Sequence, residues 1–266
     1  MESLVKKEIE LPDIIMYYTD SGGTKEPVLL VHGFPLSSEI WQKLIPLLKT
    51  DYRIIAPDLR GHGLTDAPMI EYSLEQMADD LFNLLNKLKI EKVHFVGHSM
   101  GGYIALAFLE KYPEKLLSIT MLHSTTYADT EEGLKGREQT IKTIENEGLA
   151  KYAENMANKL FAQDFALANP EEVAEIAKII NTTSLRAVIQ TIKAIMKRPC
   201  RTNRLAEANI PVLFLMGAED SLIPSARILP LQEMLPKANF RIMAKVGHMG
   251  MIEEPVEVAR ILREFW

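Results

Sequence analysis

Apolar residues in this chain gather into short unbroken runs, separated by longer stretches in which they recur every three or four positions. The runs are VLLVHG (28–33), RIIAPD (53–58), KVHFVG (92–97), LSITMLH (117–123), VLFLMG (212–217) and NFRIMA (239–244). A strand exposed on one face alternates apolar with polar, whereas a strand buried on both faces reads as a continuous apolar run. Ahead of them, KKEIEL and IIMYYTD flank Pro12-Asp13 and predict an N-terminal hairpin. The helical pattern is clearest in SLEQMADDLFNLLNKL (73–88), where Leu74, Met77, Leu81, Leu84, Leu85 and Leu88 share a face. Ser73 is placed as its N-cap, with Gln76 three residues on. IWQKLIPLL (40–48), SMGGYIALAFLEKY and the terminal PVEVARILREFW predict further helices. Strand–helix alternation of this kind predicts a doubly wound α/β sheet.

The alternation breaks once. Roughly 88 residues separate His123 from Val212, where a crossover needs only about a dozen. The excess reads as helix, in REQTIKTIENEG, LAKYAENMANKLF, PEEVAEIAKII and SLRAVIQTIKAIM. The expected organisation is a core made of 1–123 and 207–266, with 124–206 inserted as a helical cap. An apolar fraction of 47% over 266 residues allows a sizeable core, and a net charge of -6 argues against a nucleic-acid partner. The six histidines are scattered along the chain, so no metal is expected. A single cysteine, Cys200, no apolar run long enough for a membrane span and no visible secretory leader lead to the expectation of a cytoplasmic protein.

The stretch FVGHSMGG (95–102) sets a serine between glycines, straight after an apolar run and straight before a helical pattern. Gly97, Ser99 and Gly101 match G-x-S-x-G in the strand–turn–helix context that motif requires. Such a turn brings the residues two before and two after the serine together and leaves its hydroxyl at the carboxyl end of the strand, where open α/β sheets bind ligands.

With these residues in view, the sequence resembles an α/β-hydrolase of the serine-esterase kind, nearly end to end. HGFP (32–35) resembles the oxyanion loop, PDLRGHGLTD (57–66) a structural turn, GHSMGG (97–102) the nucleophile elbow, GAED (217–220) the acid turn and VGHM (246–249) the histidine loop. The resemblance implies a mostly parallel eight-stranded sheet flanked by helices. The segment from Ala194 to Asp220 is similar to a smaller group that includes 3-oxoadipate enol-lactonases and bacterial carboxylesterases. Where that group usually shows Arg-Pro-Asp, this chain has Arg198-Pro199-Cys200.

A serine hydroxyl needs an adjacent base, and histidine titrates in the right range. His248 follows the last strand in a glycine-flanked loop that opens at the same edge as Ser99. His94 and His123 read as structural, His62 as part of a turn, and His32 as a residue that shapes the oxyanion loop. Asp220 is the expected acid, giving the chain order serine, acid, histidine. Glu219 and Asp129 are the rivals. The motif places oxyanion donors at the backbone N–H groups of Phe34 and Met100.

Trp41 and Phe161 are expected in the pocket wall. Leu149, Met156, Leu160, Phe165, Leu167, Ile189 and Ile192 are further apolar cap positions. The expected activity is hydrolysis of small to medium, largely apolar carboxylic esters or lactones, with no cofactor. A small-molecule receptor, a perhydrolase or a carbon–carbon bond hydrolase on the same triad stay open. The aspartate-nucleophile relatives are excluded by the serine at 99.

Overall fold

Each apolar run becomes a strand, and the reason for its continuity is visible in the packing. The computed structural model describes residues 5–266; residues 1–4, which the expected core segment includes, lie outside the described residues. The strands are β1 (Lys7–Glu10), β2 (Ile15–Asp20), β3 (Pro27–Val31), β4 (Arg53–Pro57), β5 (Val93–His98), β6 (Leu116–Leu122), β7 (Val212–Gly217) and β8 (Asn239–Met243). In β3, Leu29 and Val31 enter one core while Val28 and Leu30 enter the other. In β7, Val212, Phe214 and Met216 alternate with Leu213 and Leu215 in the same way. Successive side chains point to opposite faces, and both faces are covered, so neither set can be polar.

The sheet runs in the order β1-β2-β4-β3-β5-β6-β7-β8. The β1–β2 and β2–β4 pairs are antiparallel, and all pairs from β4 through β3 to β8 are parallel. Register sets Val31 beside Gly97, His98 beside Leu122 and Gly217 beside Met243, so the turns after β3, β5, β7 and β8 leave from one edge. β8 departs from the expected fully buried run: Asn239, Arg241 and Ile242 are exposed, because it is the last strand and has no neighbour beyond it.

Helix Leu74–Lys87 begins as predicted, with the Gln76 N–H donating to the Ser73 hydroxyl at 3.2 Å. The helix expected over 40–48 is broken. A 3-10 turn spans Ser38–Trp41 and a separate short helix spans Ile45–Leu48. Pro46 explains the break: its ring tolerates the first turn of a helix but not its interior. Between β6 and β7 lie helices Glu131–Glu147, Leu149–Leu160, Gln163–Ala168, Pro170–Thr182, Leu185–Met196 and Thr202–Ala206. Helix Leu149–Leu160 packs mainly on Pro170–Thr182, and Glu131–Glu147 on both Leu149–Leu160 and Leu185–Met196. Thr202–Ala206 lies instead against helix Met100–Lys111 of the sheet layer. No described helix is long and apolar enough to cross a membrane.

The turn after β4 anchors the loop after β3. Asp58 accepts the Ser38 N–H at 2.9 Å, the Ser38 hydroxyl at 2.6 Å and the Leu64 N–H at 3.1 Å. His32 Nε2 accepts the Leu59 N–H at 2.9 Å, which leaves Nδ1 as the protonated nitrogen, donating to the Gly33 carbonyl at 2.8 Å. Burial pushes His32 down to about 3, reinforced by the neighbouring His62, whose own imidazole burial pushes down to about 4. Both depressed values lie below the roughly 6.5 of an unfolded histidine. Between that value and about 4 the unfolded chain therefore binds protons that the folded chain refuses, so stability falls as pH falls. Urea midpoints measured from pH 7.5 to 5 are expected to drop across that range by an amount equivalent to about 2 kcal/mol per histidine. A midpoint that stays level across this range contradicts the buried-neutral assignment.

Candidate active site

Ser99 stands at φ 51° and ψ -113°, a left-handed conformation that costs a non-glycine residue of order 1–3 kcal/mol. The turn is held because the chain around it closes on itself. A Cβ on Gly97 would come within 2.4 Å of the Gly101 carbonyl oxygen, and one on Gly101 within 2.3 Å of the Val31 carbonyl oxygen. The Ser99 N–H donates to the Leu122 carbonyl at 2.9 Å, and the Ser124 hydroxyl donates to the Ser99 carbonyl at 2.7 Å. Backbone and sheet therefore fix the serine, and its own side chain is left free for other work.

Asp220 follows β7 and is buried. Its Oδ1 accepts the Leu222 and Ile223 N–H groups, both at 2.9 Å, and its Oδ2 accepts His248 Nδ1–H at 2.7 Å. Burial opposes ionisation of the carboxyl, but attraction to His248 and the donors around it outweigh this and hold it well below the usual carboxylate range. With the Nδ1 proton committed to Asp220, His248 Nε2 is the nitrogen left to accept a proton. The rival acids stand elsewhere. Glu219 is exposed in the turn, and Asp129 is paired with Arg137 and Arg198.

The histidine loop is itself held. The His248 N–H donates to the Leu160 carbonyl at the end of helix Leu149–Leu160, at 2.7 Å. Glu253 accepts the N–H groups of Gly247 (2.9 Å), Met249 (3.0 Å) and Ala162 (3.0 Å). His98 Nε2 donates to the His248 carbonyl at 2.9 Å, so the histidine adjacent to Ser99 faces the back of the loop. The other histidines expected to be structural hold structural bonds: His94 Nδ1 meets the Ser118 hydroxyl at 2.7 Å, and His62 Nδ1 donates to the Arg60 carbonyl at 3.0 Å.

A cavity of about 170 Å³ opens over the serine. Ser99, Met100, Phe34 and His248 all line it. No direct hydrogen bond joins the Ser99 hydroxyl to His248 among the described residues; such bonds often tighten only when substrate is bound. The backbone N–H groups of Phe34 and Met100 have no acceptor among the described residues. The cavity is smaller than the roughly 300–1,000 Å³ of pockets for drug-sized ligands.

Trp41 and Phe161 are not in its wall. Trp41 is fully buried in the core under β3 and β5, edge-on to His98, and Phe161 stacks on Phe165 behind the histidine loop. Both large rings are spent on packing between layers. Of the apolar cap positions singled out, only Met156 reaches the wall. Nor is the wall largely apolar: Arg137, Arg198 and Arg227 line it, together with Asp129 and Thr125.

His123, expected to be structural, sits in the site. Its Nε2 accepts the Gly250 N–H at 3.2 Å, and its Nδ1 stands 3.4 Å from Asp220 Oδ2. That is long for a hydrogen bond but close enough to add to the field on the carboxylate. Burial pushes its imidazole down, the Asp220 contact opposing. His123, Asp220 and His248 offer donor atoms within 4.8 Å of one another. A metal ion there would have to break the 2.7 Å Asp220–His248 bond.

A serine bent to positive φ between a parallel strand and its helix, in a sheet of this order, places the chain in the hydrolase-fold class of α/β proteins. The sequence model of a family described as alpha/beta hydrolase fold matches residues 26–255, and the chain belongs to that family. It is 29% identical to a Bacillus subtilis (strain 168) protein provisionally named 2-succinyl-6-hydroxy-2,4-cyclohexadiene-1-carboxylate synthase, over 97% of each chain. It is 27% identical to 3-oxoadipate enol-lactonase 1 of Acinetobacter baylyi (strain ATCC 33305 / BD413 / ADP1), over 85% of this chain and 83% of that one. Among solved structures, a malate-bound thermophilic esterase from Thermogutta terrifontis superposes with a TM-score of 0.90 at 30% identity, covering 98% of this chain and 97% of that one.

Glu253 carries no motif signal, yet three backbone donors flanking the histidine depend on it. Glu253→Ala is expected to lower stability by about 3 kcal/mol, since buried N–H groups left without an acceptor cost about 1–3 kcal/mol each and some are rescued by water. Glu253→Gln, which keeps an acceptor oxygen, is expected to recover at least half of that loss. Thermal unfolding of the two variants beside wild type checks both, and equal losses would contradict the role.

Proposed function

We propose that the protein hydrolyses small carboxylic esters or lactones through an acyl-enzyme on Ser99. The observation that carries this reading is the 2.7 Å bond by which a buried, ionised Asp220 orients His248 at the cavity that Ser99 also lines. The names of the esterase and enol-lactonase relatives support the same class of reaction.

In the proposed cycle, Ser99 Oγ attacks the carbonyl carbon while His248 Nε2 takes the hydroxyl proton. Asp220 stabilises the imidazolium that forms. The carbonyl oxygen becomes an oxyanion beside the N–H groups of Phe34 and Met100, the second of which opens helix Met100–Lys111. When the carbon–oxygen bond breaks, His248 gives the proton to the departing alkoxide. Water then attacks the acyl-serine, its proton passing to His248 and on to Ser99 Oγ, and the acid leaves. One water is consumed, and one alcohol and one acid are formed; with a lactone both stay in one molecule.

Turnover of 4-nitrophenyl acetate and butyrate is the test. Ser99→Ala and His248→Ala are each expected to lower kcat by at least about 1,000-fold, and Asp220→Asn by about 100- to 10,000-fold, with little change in KM. A Ser99→Ala protein that keeps wild-type turnover would end the proposal. A wild type that binds small carbonyl compounds without turnover would favour the receptor reading.

A further inference from the structure

The cavity over Ser99 carries a charge that the chain as a whole does not. The protein is acidic, at -6, yet the charged side chains lining this one cavity are three arginines and one aspartate. The arginines come from separate segments: Arg137 from helix Glu131–Glu147, Arg198 from just after helix Leu185–Met196, and Arg227 from the short helix Ser225–Ile228 that follows the Asp220 turn. Three segments contributing the same group to one small space are not explained by composition.

Internal pairing uses up only part of that charge. Asp129 Oδ1 accepts Arg198 Nη2–H at 2.7 Å, and Asp129 Oδ2 accepts Arg137 Nε–H at 2.5 Å. Burial opposes ionisation of Asp129, but the two guanidinium groups outweigh it and hold the carboxyl below the usual range. One anion faces three cations, which leaves an excess of two.

Arg198 is fully engaged as a structural piece. Its Nε and Nη1 donate to the Tyr127 and Ile195 carbonyls at 3.2 and 2.9 Å, and its guanidinium lies 4.2 Å from the Tyr103 ring centre. Arg137 and Arg227 are not so engaged. Arg137 Nη1 has no partner among the described residues, and Arg227 has only a 3.5 Å contact to the Ala128 carbonyl and no ion pair among them. A staple that merely held Asp129 would need neither the free edge of Arg137 nor a third guanidinium.

We infer that the substrate carries a carboxylate. On the ester-hydrolase reading, on which this rests, its acyl carbonyl lies at Ser99, its short chain runs along Phe34, Met156 and Leu222, and its free carboxylate meets Arg137 and Arg227. The class is therefore half-esters of dicarboxylic acids, or lactones bearing a side-chain carboxylate. Guanidinium matches a carboxylate in planar, two-toothed geometry, and a cleft lined by one sign of charge draws in the opposite one.

The test compares mono-4-nitrophenyl adipate with its neutral methyl ester, methyl 4-nitrophenyl adipate; the chain is long enough that the free carboxylate does not readily attack its own ester. Wild type is expected to prefer the anionic ester in kcat/KM by about tenfold or more at low ionic strength, with the preference shrinking as salt is raised. In Arg137→Gln/Arg227→Gln the ratio of the two kcat/KM values is expected to fall towards one. A wild type that prefers the neutral ester, or a double variant with an unchanged ratio, overturns the inference while leaving ester hydrolysis standing. If neither ester is turned over, the hydrolase reading has failed on its own account, and calorimetric titration with adipate decides the anion site. Binding in wild type that is lost in the double variant upholds it, and absence of binding in wild type overturns it.

Discussion

Nothing larger than hydrogen fits on Gly97 or Gly101, and the remaining geometry of the site follows from that. The approach of Gly101 to the Val31 carbonyl presses helix Met100–Lys111 against the end of β3, while Gly97 lets the chain turn back across its own strand. Ser99 is then forced to positive φ. The strain is tolerated because β5 is central, with β3 on one side and β6 on the other, and cannot relax without breaking parallel ladders on both. The same contact sets the Phe34 loop, which leaves β3, beside the first N–H of the elbow helix. A single close approach therefore positions both the proposed nucleophile and the two proposed oxyanion donors.

The second element is a buried charge. A carboxylate taken out of water is costly unless its lone pairs are met by donors. Asp220 is met by two backbone N–H groups, by His248 and, at longer range, by His123. Those donors keep the anion in place, and the anion in turn fixes which nitrogen of His248 carries the proton. Orientation and protonation state of the imidazole thus have one cause.

Much of this was legible in the sequence, for identifiable reasons. Strands buried on both faces write themselves as apolar runs, so the inner strands were readable, and β8 misled only because an edge strand can be apolar and half exposed. The elbow was readable because its steric demand falls on glycine. The placement of Asp220 and His248 at the edge where Ser99 stands was readable because they sit in turns at strand ends, where a polar residue has no packing role to hide behind. Trp41 and Phe161 were misplaced because a large ring at helical or loop spacing fits a core and a pocket wall equally well. The roles of Glu253, His123 and Arg198 gave no signal, since each residue meets a partner far away in sequence: Ala162 for Glu253, Asp220 for His123, Asp129 for Arg198. Pairing across such distances is a property of the fold, and no local pattern encodes it.

The helices between β6 and β7 are tied to the candidate site rather than laid over it. The backbone of His248 hangs from the Leu160 carbonyl, Glu253 reaches from behind the histidine loop to Ala162, and the Ser221 hydroxyl next to Asp220 donates to the Lys159 carbonyl at 3.2 Å. Helix Leu149–Leu160 thus ends on both the acid turn and the histidine loop. On the other side, Asp129 clamps Arg137 and Arg198, so two of the three cations of the wall are joined to the same helical segment. A displacement of these helices could not enlarge the cavity alone. It would also pull on the loop that carries the proposed base and move Arg137, one of the two charges proposed to receive the substrate, so access, orientation of the imidazole and recognition of charge are mechanically coupled.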